Sequence, residues 1–450
     1  MPDLPAVWAK LRDSLWFVPT LIVLSAVLLA VAMVELSSLV SSDVLARWPR
    51  VFGAGAGGAR SMLSAIATSM ITVAGVTFSI TMVAVTQASA QYSPRILRNF
   101  MRDRANQVVL GIFVGIFAYC LVVLRTIRGG EEPGFVPSVA VVVGVLMALL
   151  GIAVLIFFIH HIATTLQASE IIARIARETC TTVDQVFPEE IDPAGPAVHA
   201  APEAPVPGTW QPLLARATGY IQRVDVPHMV ALAEKHDLVV RLERTAGDFV
   251  AAGQPLAWLA RGSHRSGGAR EDAPALDGAV TQPLHRGYGI GVYRTLDHDP
   301  GFGIRQLVDI ALKALSPGIN DTTTAVTCVD YLSAVLLQVA NRRMDLDHRD
   351  SAGRLRVLAP GPTFEDLLDL TMDEIRGNVG GHVIVLIRQV EAVGVVAAAT
   401  RSAARRRAAA KHVALLREAA ARGVAAEHDR ARFEAAADRV LASDAQGPEG

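Results

Sequence analysis

The sequence predicts an α-helical membrane protein with four transmembrane helices and a cytosolic α+β region. In that region a small β barrel-sandwich-like module precedes a helical domain. Two observations lead to this class: residues of hydrophobic type make up 51% of the 450-residue chain, and long apolar runs are confined to its first third. A strand-like alternation of apolar and polar residues then begins near Gly219. The net charge of −1 argues against nucleic acid as a partner.

Four apolar runs predict the transmembrane domain, residues 1–165. Each is long enough for a hydrocarbon core that needs about 20 helical residues. The runs are Ser14–Val34, Arg60–Arg95, Ala105–Leu124 and Pro133–Ile159. The first run is too long for a signal peptide and lacks a convincing cleavage site, so we expect it to be retained as a helix.

Arginines between the second and third runs set the predicted orientation. Arg95, Arg98, Arg102 and Arg104 face a single acid, Asp103, in this loop. Because cytoplasmic loops are enriched in Lys and Arg, the loop and both termini are predicted to be cytoplasmic. The lipid bilayer is therefore the first predicted partner.

The second run combines two kinds of residue. It has no charge between Arg60 and Arg95, yet every third or fourth residue is almost always small or polar. We name this row the seam: Ser61, Ala65, Thr68, Thr72, Gly75, Ser79, Met82, Thr86 and Ser89. Small and hydroxyl residues in membranes favour close helix packing, within one subunit or across a homo-oligomer. The alternative is that several copies line a pore with the seam.

The arginines at the inner end of this run bear on the same choice. If the seam lines a pore, Arg95, Arg98 and Arg102 form a positive ring, which favours anions or holds lipid headgroups.

Three further segments are predicted after the membrane domain. Residues 166–209 read as a juxtamembrane helix and a Pro/Ala-rich linker, residues 210–300 as the small β module, and residues 301–450 as a helical cytosolic domain. The string Gly219–Leu256 resembles half of the barrel-sandwich fold of biotinyl and lipoyl domains. The only lysine there, Lys235, lies in a predicted helix, so no prosthetic group and no other cofactor is expected.

A tight turn is predicted between two helices of the last domain. It consists of Ser316, Pro317, Gly318, Ile319, Asn320 and Asp321. Pro317 lacks a backbone donor, Gly318 permits a positive φ, and Asn320 or Asp321 can cap the next helix. The alternative is a ligand or anion contact at that helix N-terminus.

Three strings together resemble one bacterial family. They are Gln91-Tyr-Ser-Pro-Arg, the β segment Gly219–Leu256, and the stretch from Phe302 to Asp321 that ends in Ser-Pro-Gly-Ile-Asn-Asp. Their order and spacing are similar to those of a predicted-membrane-protein family known only as a domain of unknown function, DUF2254. The resemblance implies a multi-pass protein of the bacterial inner (plasma) membrane with a cytosolic C-terminal region. It implies no reaction, ligand or catalytic residue.

Catalytic and metal signatures are weak in the sequence. Asp297-His298-Asp299 and His160-His161 are better explained as a surface loop and an interfacial anchor than as a metal site and a proton sensor. No Gly-x-Ser-x-Gly, phosphate loop or His-Glu-x-x-His motif is present. We therefore predict no metal, no catalytic residue and no enzyme. The hypotheses left are an oligomeric channel or transport protein with a cytosolic regulatory domain, or a non-conducting scaffold or sensor that recruits a cytosolic partner.

Overall fold

A computed structural model of the chain describes most of its residues. The described ranges are 16–39, 55–91, 104–128, 135–165, 167–188, 190, 210–261, 278–344, 346–350 and 352–445. They fall into two compact units, residues 1–170 and 171–450.

Four helices form the described part of the first unit, and each overlaps a predicted apolar run. They are α1 (Phe17–Leu39), α2 (Ala56–Gln91), α3 (Arg104–Thr126) and α4 (Ser138–Thr165). Helix α3 contacts each of the other three helices, and Phe113, Ile116, Tyr119 and Val123 along it are fully buried. The core of this unit is therefore built around α3.

Glycines let α1 approach α3 closely. A Cβ added to Gly111 would lie 2.8 Å from Ile22 Cδ1 and 3.0 Å from the Cα of Pro19. At Gly115 the added atom would lie 3.3 Å from the Cβ of Ala26. The spacing Gly111-x-x-x-Gly115 is the small-residue motif with which membrane helices pack backbone against backbone. This motif was not among the features predicted from the sequence.

Helix α4 uses glycines in the same way. A Cβ at Gly144 would lie 2.9 Å from Leu63 Cδ2, and one at Gly151 would lie 2.9 Å from Met70 Sδ. The buried Tyr119 hydroxyl donates a hydrogen bond of 2.8 Å to the carbonyl of Ala140. Helix α2 is therefore held against the unit through Leu63 and Met70.

Eight strands in the described part of the second unit form two sheets. They are β1 (Gln211–Leu214), β2 (Gly219–Val224), β3 (Leu238–Leu242), β4 (Phe249–Val250), β5 (Pro255–Arg261), β6 (Tyr288–Gly291), β7 (Leu346–Arg349) and β8 (Leu355–Ala359). One sheet has the order β1-β5-β3-β8-β7 and the other β4-β2-β6. Pairs are antiparallel except β3 with β8, which is parallel. This arrangement does not confirm the predicted barrel-sandwich.

Strands β7 and β8 correct one expectation. The sequence predicted helices alone from Gly303 to the end of the chain, yet Leu346–Arg349 and Leu355–Ala359 are strands. Val357 on β8 pairs with Val240 on β3. Residues on both sides of position 300 therefore share one sheet.

Nine helices complete the described part of the second unit. They are α5 (Ala168–Val186), α6 (Val226–Lys235), α7 (Gly278–Arg286), α8 (Pro300–Leu315), α9 (Thr322–Val339), α10 (Phe364–Asn378), α11 (Val383–Ala399), α12 (Ala403–Gly423) and α13 (Glu427–Ala445). The last two of these helices, α12 and α13, bury Arg405, His412, Leu416 and Phe433.

Five described helices are long and apolar enough to cross a membrane. Four are α1 to α4, and the fifth is α9, whose mean hydropathy of 1.2 is the lowest of the five. Helix α9 contacts α8 and α11 in the second unit, and Cys328, Leu332 and Leu336 on it are fully buried.

Candidate functional site

The seam is an exposed face of α2. Thr68, Thr72, Gly75, Ser79 and Thr86 are all exposed in the single chain, and a Cβ added to Gly75 would meet nothing within 4 Å. Ser89 belongs to α2, but its side chain lies outside the described residues. The small and polar row is therefore available for contact with lipid, water or another protein.

The chain packs on the other side of α2. Its buried residues are Ala59, Leu63, Ala67, Met70, Ala74, Thr77, Ala84 and Val85. At 3.6 residues per turn, this buried row is centred roughly 150° around the helix from the seam. Within one chain the seam is therefore not the packing face of α2.

The seam hydroxyls bond to their own helix. Thr72 Oγ1 donates to the carbonyl of Thr68 at 2.8 Å, Ser79 Oγ to that of Gly75 at 2.9 Å, and Thr86 Oγ1 to that of Met82 at 2.8 Å. Each hydroxyl proton is thus satisfied without an outside partner, while the oxygen lone pairs can still accept. The seam can pack against a neighbouring helix without leaving hydroxyl protons unpaired. Its hydroxyl oxygens can also accept hydrogen bonds from water.

The arginines predicted at the inner end of α2 lie beyond the helix end at Gln91. Arg95, Arg98 and Arg102 fall outside the described residues. Their role in holding an anion or a lipid headgroup stays a prediction.

The predicted turn between helices lies between α8 and α9. Ser316 ends α8, and its carbonyl accepts from the Ile319 and Asn320 amides at 3.0 and 2.9 Å. Asp321, not Asn320, caps α9: Oδ1 accepts from the Thr324 amide at 3.0 Å and Oδ2 from the Thr324 hydroxyl at 2.6 Å. The turn holds the start of α9 in place.

The residue with a positive φ in this turn is not the one that the sequence predicted. Asn320 has φ +51°. Gly318 was expected to adopt a positive φ, but it is not among the described residues that do. Pro317 and Gly318 are exposed. The hydrogen bonds from Thr324 lower the pKa of Asp321. A carboxylate thus already occupies the helix N-terminus where an anionic ligand would bind.

In the Asp297-His298-Asp299 loop, both carboxylate oxygens of Asp299 accept hydrogen bonds that support the fold. Its Oδ1 accepts from the Phe302 amide at 3.0 Å and caps α8, and its Oδ2 accepts from Arg294 Nε at 2.9 Å. Burial raises the pKa of Asp299, although Arg294 opposes that effect. Gly247, at φ +97°, lies so close that an added Cβ would be 2.3 Å from Asp299 Oδ2. The loop is therefore built around a buried cap and ion pair.

A cavity of about 400 Å³ lies next to this loop in the second unit. Its wall is mainly apolar, with Phe187, Val226, Leu242 and Pro360 among the lining residues, and Asp299 also lines it. Cavities of this size suit a small organic molecule. The cavity was not predicted from the sequence, because the walls of the cavity come from segments far apart in the chain.

One group of side chains in the described part of the chain has the composition of a metal site. Asp369, Asp373 and His412 each offer a ligand atom, and these atoms lie within 4.8 Å of one another. Asp369 and Asp373 are one turn apart on α10, whereas His412 comes from α12. The carboxylates are visible in the sequence as a pair at i and i+4, but nothing local to the sequence indicates that His412 joins them.

Several apolar helices joined to a folded α+β unit define the chain as a helical membrane protein. It belongs to the family described as Predicted membrane protein (DUF2254), whose sequence model matches residues 12–394. Uncharacterized proteins of Mycobacterium bovis and Mycobacterium tuberculosis strain H37Rv are each 36% identical to it over 417 residues. These matches cover 91% of this chain and 77% of each relative. No solved structure matches the chain.

Proposed function

We propose that the protein is an oligomeric channel or transport protein of the bacterial inner membrane, whose second unit regulates it from the cytosol. The observation that carries the proposal is the exposed seam of α2. Its small and hydroxyl residues stand opposite the face on which α2 packs within its own chain. Against lipid such a row would gain little, whereas against copies of itself it permits close approach.

The length of α2 fits this role. At 1.5 Å per residue, its 36 residues reach about 54 Å, which exceeds a hydrocarbon core of about 30 Å. A helix of this length carries the seam through the membrane and beyond it. Copies arranged around an axis then place Thr72, Ser79 and Thr86 along one path.

The proposed topology has four spans, α1 to α4, with both termini in the cytoplasm. Helix α9 is assigned to the cytosolic unit because it packs between α8 and α11 and buries Cys328, Leu332 and Leu336. A cysteine placed at Gly55 or Gly130 should then react with an impermeant thiol reagent added from the periplasm. One placed at Asn99 should react only after the cells are opened. Reaction of position 99 in intact cells would contradict the topology.

Substitution of Ser79 by leucine separates a pore from a packing face. If the seam lines a water-filled path, Ser79→Leu should narrow it and abolish ion flux into liposomes while the oligomer remains intact. If the seam is a packing face, the added volume should weaken the oligomer, at about 1–3 kcal/mol per site. Flux and oligomer size on native gels are measured on the same preparations.

Ser69→Leu is the matched control, because Ser69 is exposed on α2 but lies roughly 100° from the seam. It should leave both flux and oligomer size unchanged. The proposed function would be contradicted if the wild-type protein is monomeric in lipid nanodiscs and carries no ion flux into liposomes.

The alternative is a non-conducting scaffold or sensor that recruits a cytosolic partner. The cavity of about 400 Å³ in the second unit favours it, since a sensor needs a place for a small molecule. A stable wild-type oligomer without flux for any ion or solute tested would favour this alternative over the channel.

A further inference from the structure

His412 lies between two carboxylates of α10. Its Nε2 is 2.7 Å from Asp369 Oδ1, and its Nδ1 is 3.9 Å from Asp373 Oδ1. The first distance is a hydrogen bond, and the second is too long for one. The two ring nitrogens therefore have different surroundings.

The Asp369 contact fixes the position of the ring proton. A carboxylate can only accept, so Nε2 carries the hydrogen. In neutral His412 the lone pair is then on Nδ1, which lies 3.9 Å from Asp373 Oδ1. Two electron-rich atoms at this distance repel unless a cation lies between them.

The burial of His412 makes this arrangement costly without a partner. Its side chain is 1% exposed, and within the described part of the chain Nδ1 has no hydrogen-bond partner. A buried polar atom without a partner destabilises a fold, so such atoms are rare in native proteins. This observation is independent of the acidic residues and points to a missing ligand.

The size of the gap suits a metal ion. Zinc binds His nitrogen and carboxylate oxygen at about 2.0–2.2 Å in a tetrahedron, so a shared ion places Nδ1 and Oδ1 about 3.4 Å apart. The observed separation is 3.9 Å, and a small movement of the Asp373 side chain, which is 44% exposed, closes the difference. Hydrogen bonding of the other ring nitrogen to a carboxylate is how proteins orient a metal-binding histidine, and Asp369 is placed to do this.

The neighbouring cations limit how tightly an ion can bind. Arg376 Nη2 is 2.9 Å from Asp373 Oδ1, and Lys411 Nζ is 3.7 Å from Asp369 Oδ1. Lys411 is 63% exposed and can move away. The carboxylates are 42% and 44% exposed, so an ion and its water ligands can reach them.

We propose that Asp373 and His412 Nδ1 bind a divalent transition-metal ion, oriented by Asp369 and completed by water. Imidazole with carboxylate suits Zn²⁺ or Mn²⁺, whereas Mg²⁺ and Ca²⁺ prefer oxygen ligands throughout. The ion ties α12 to α10 and thereby holds the C-terminal helices onto the cytosolic unit. The site does not depend on whether the membrane unit conducts.

The test is titration of chelator-treated, full-length protein in detergent with ZnCl₂ and, separately, MgCl₂. Heat of binding and the midpoint of thermal unfolding are measured together. We expect one Zn²⁺ site that raises the midpoint, with much weaker binding of Mg²⁺. Asp373→Asn should lower Zn²⁺ affinity at least 10-fold, and Asp369→Asn should lower it by about 10–100-fold because it weakens the orienting contact.

Asp438→Asn is the matched control. Glu434 and Asp438 form another i, i+4 acidic pair, but they contact Arg417 of α12 instead of a histidine. This variant should bind Zn²⁺ as the wild type does. Equal Zn²⁺ affinity in wild type and Asp373→Asn would overturn the proposal. So would the absence of any stabilisation of the wild type by Zn²⁺.

Discussion

Replacement of Gly111 by leucine should strongly disrupt the packing of the first unit. An added Cβ already lies 3.0 Å from the Cα of Pro19, a backbone atom that cannot rotate away. Leucine adds three more carbons in the same direction, so α1 and α3 must separate along their contact. We expect a loss of about 3 kcal/mol or more, at the upper end of overpacking. Thermal unfolding and size-exclusion behaviour in detergent measure it.

Gly75→Leu is the matched control for Gly111→Leu, with the same substitution in a neighbouring helix. A Cβ there meets nothing within 4 Å, so the fold of the single chain should tolerate leucine. The control also reports on the seam, because an oligomer built on it should weaken while each subunit stays folded. Equal thermal stability of Gly111→Leu and wild type would show that α1 and α3 do not pack through this glycine.

Local rules account for the features that the sequence predicted well. The apolar helices α1 to α4 follow from uninterrupted hydrophobic runs, which need no knowledge of a partner. Capping by Asp321 follows from residues within one turn of it. The period of the seam also lies within one helix, whereas its role stays a prediction. The sequence does not indicate on which side of α2 the chain itself packs.

Contacts between distant residues account for the features that were missed. Strand β8 pairs with β3 across more than 100 residues of chain, and each strand has only five residues. So short a segment is easily taken for part of a helical stretch. Gly111 and Gly115 can be read from the sequence, but their packing role depends on Ile22 and Ala26 of another helix. His412 likewise gains its meaning only beside Asp369.

Arg405 shows how a charged run can be buried. It lies in the Ala/Arg-rich helix α12, yet the residue is only 9% exposed. Its Nη1 donates to the carbonyls of Val339 and Ala340 at 3.1 and 3.0 Å, and its Nη2 to that of Arg342 at 2.9 Å. The first two carbonyls stand at the C-terminal end of α9, where they also accept from the Arg342 amide and the Thr400 hydroxyl.

The chemistry of the guanidinium explains why arginine occupies this position. Its planar fork reaches several carbonyls at once, and its charge complements the negative end of the α9 dipole. The same group lies 5.1 Å from the centre of the Phe364 ring, which adds a cation–π contact. Arg405 thus joins α12 to the end of α9 and the start of α10.

We therefore expect Arg405→Met to destabilise the second unit by about 3–4 kcal/mol, since methionine keeps the apolar stem but removes three hydrogen bonds from a charged donor. Arg405→Lys should recover part of the loss, because an ammonium keeps the charge but not the fork. Urea unfolding of the full-length protein, followed by circular dichroism, gives the free energies. Arg407→Met is the matched control: Arg407 lies two residues away and is exposed, so its replacement should change stability by no more than about 0.5 kcal/mol. If both methionine variants unfold at the same urea concentration, the guanidinium of Arg405 does not hold the end of α9.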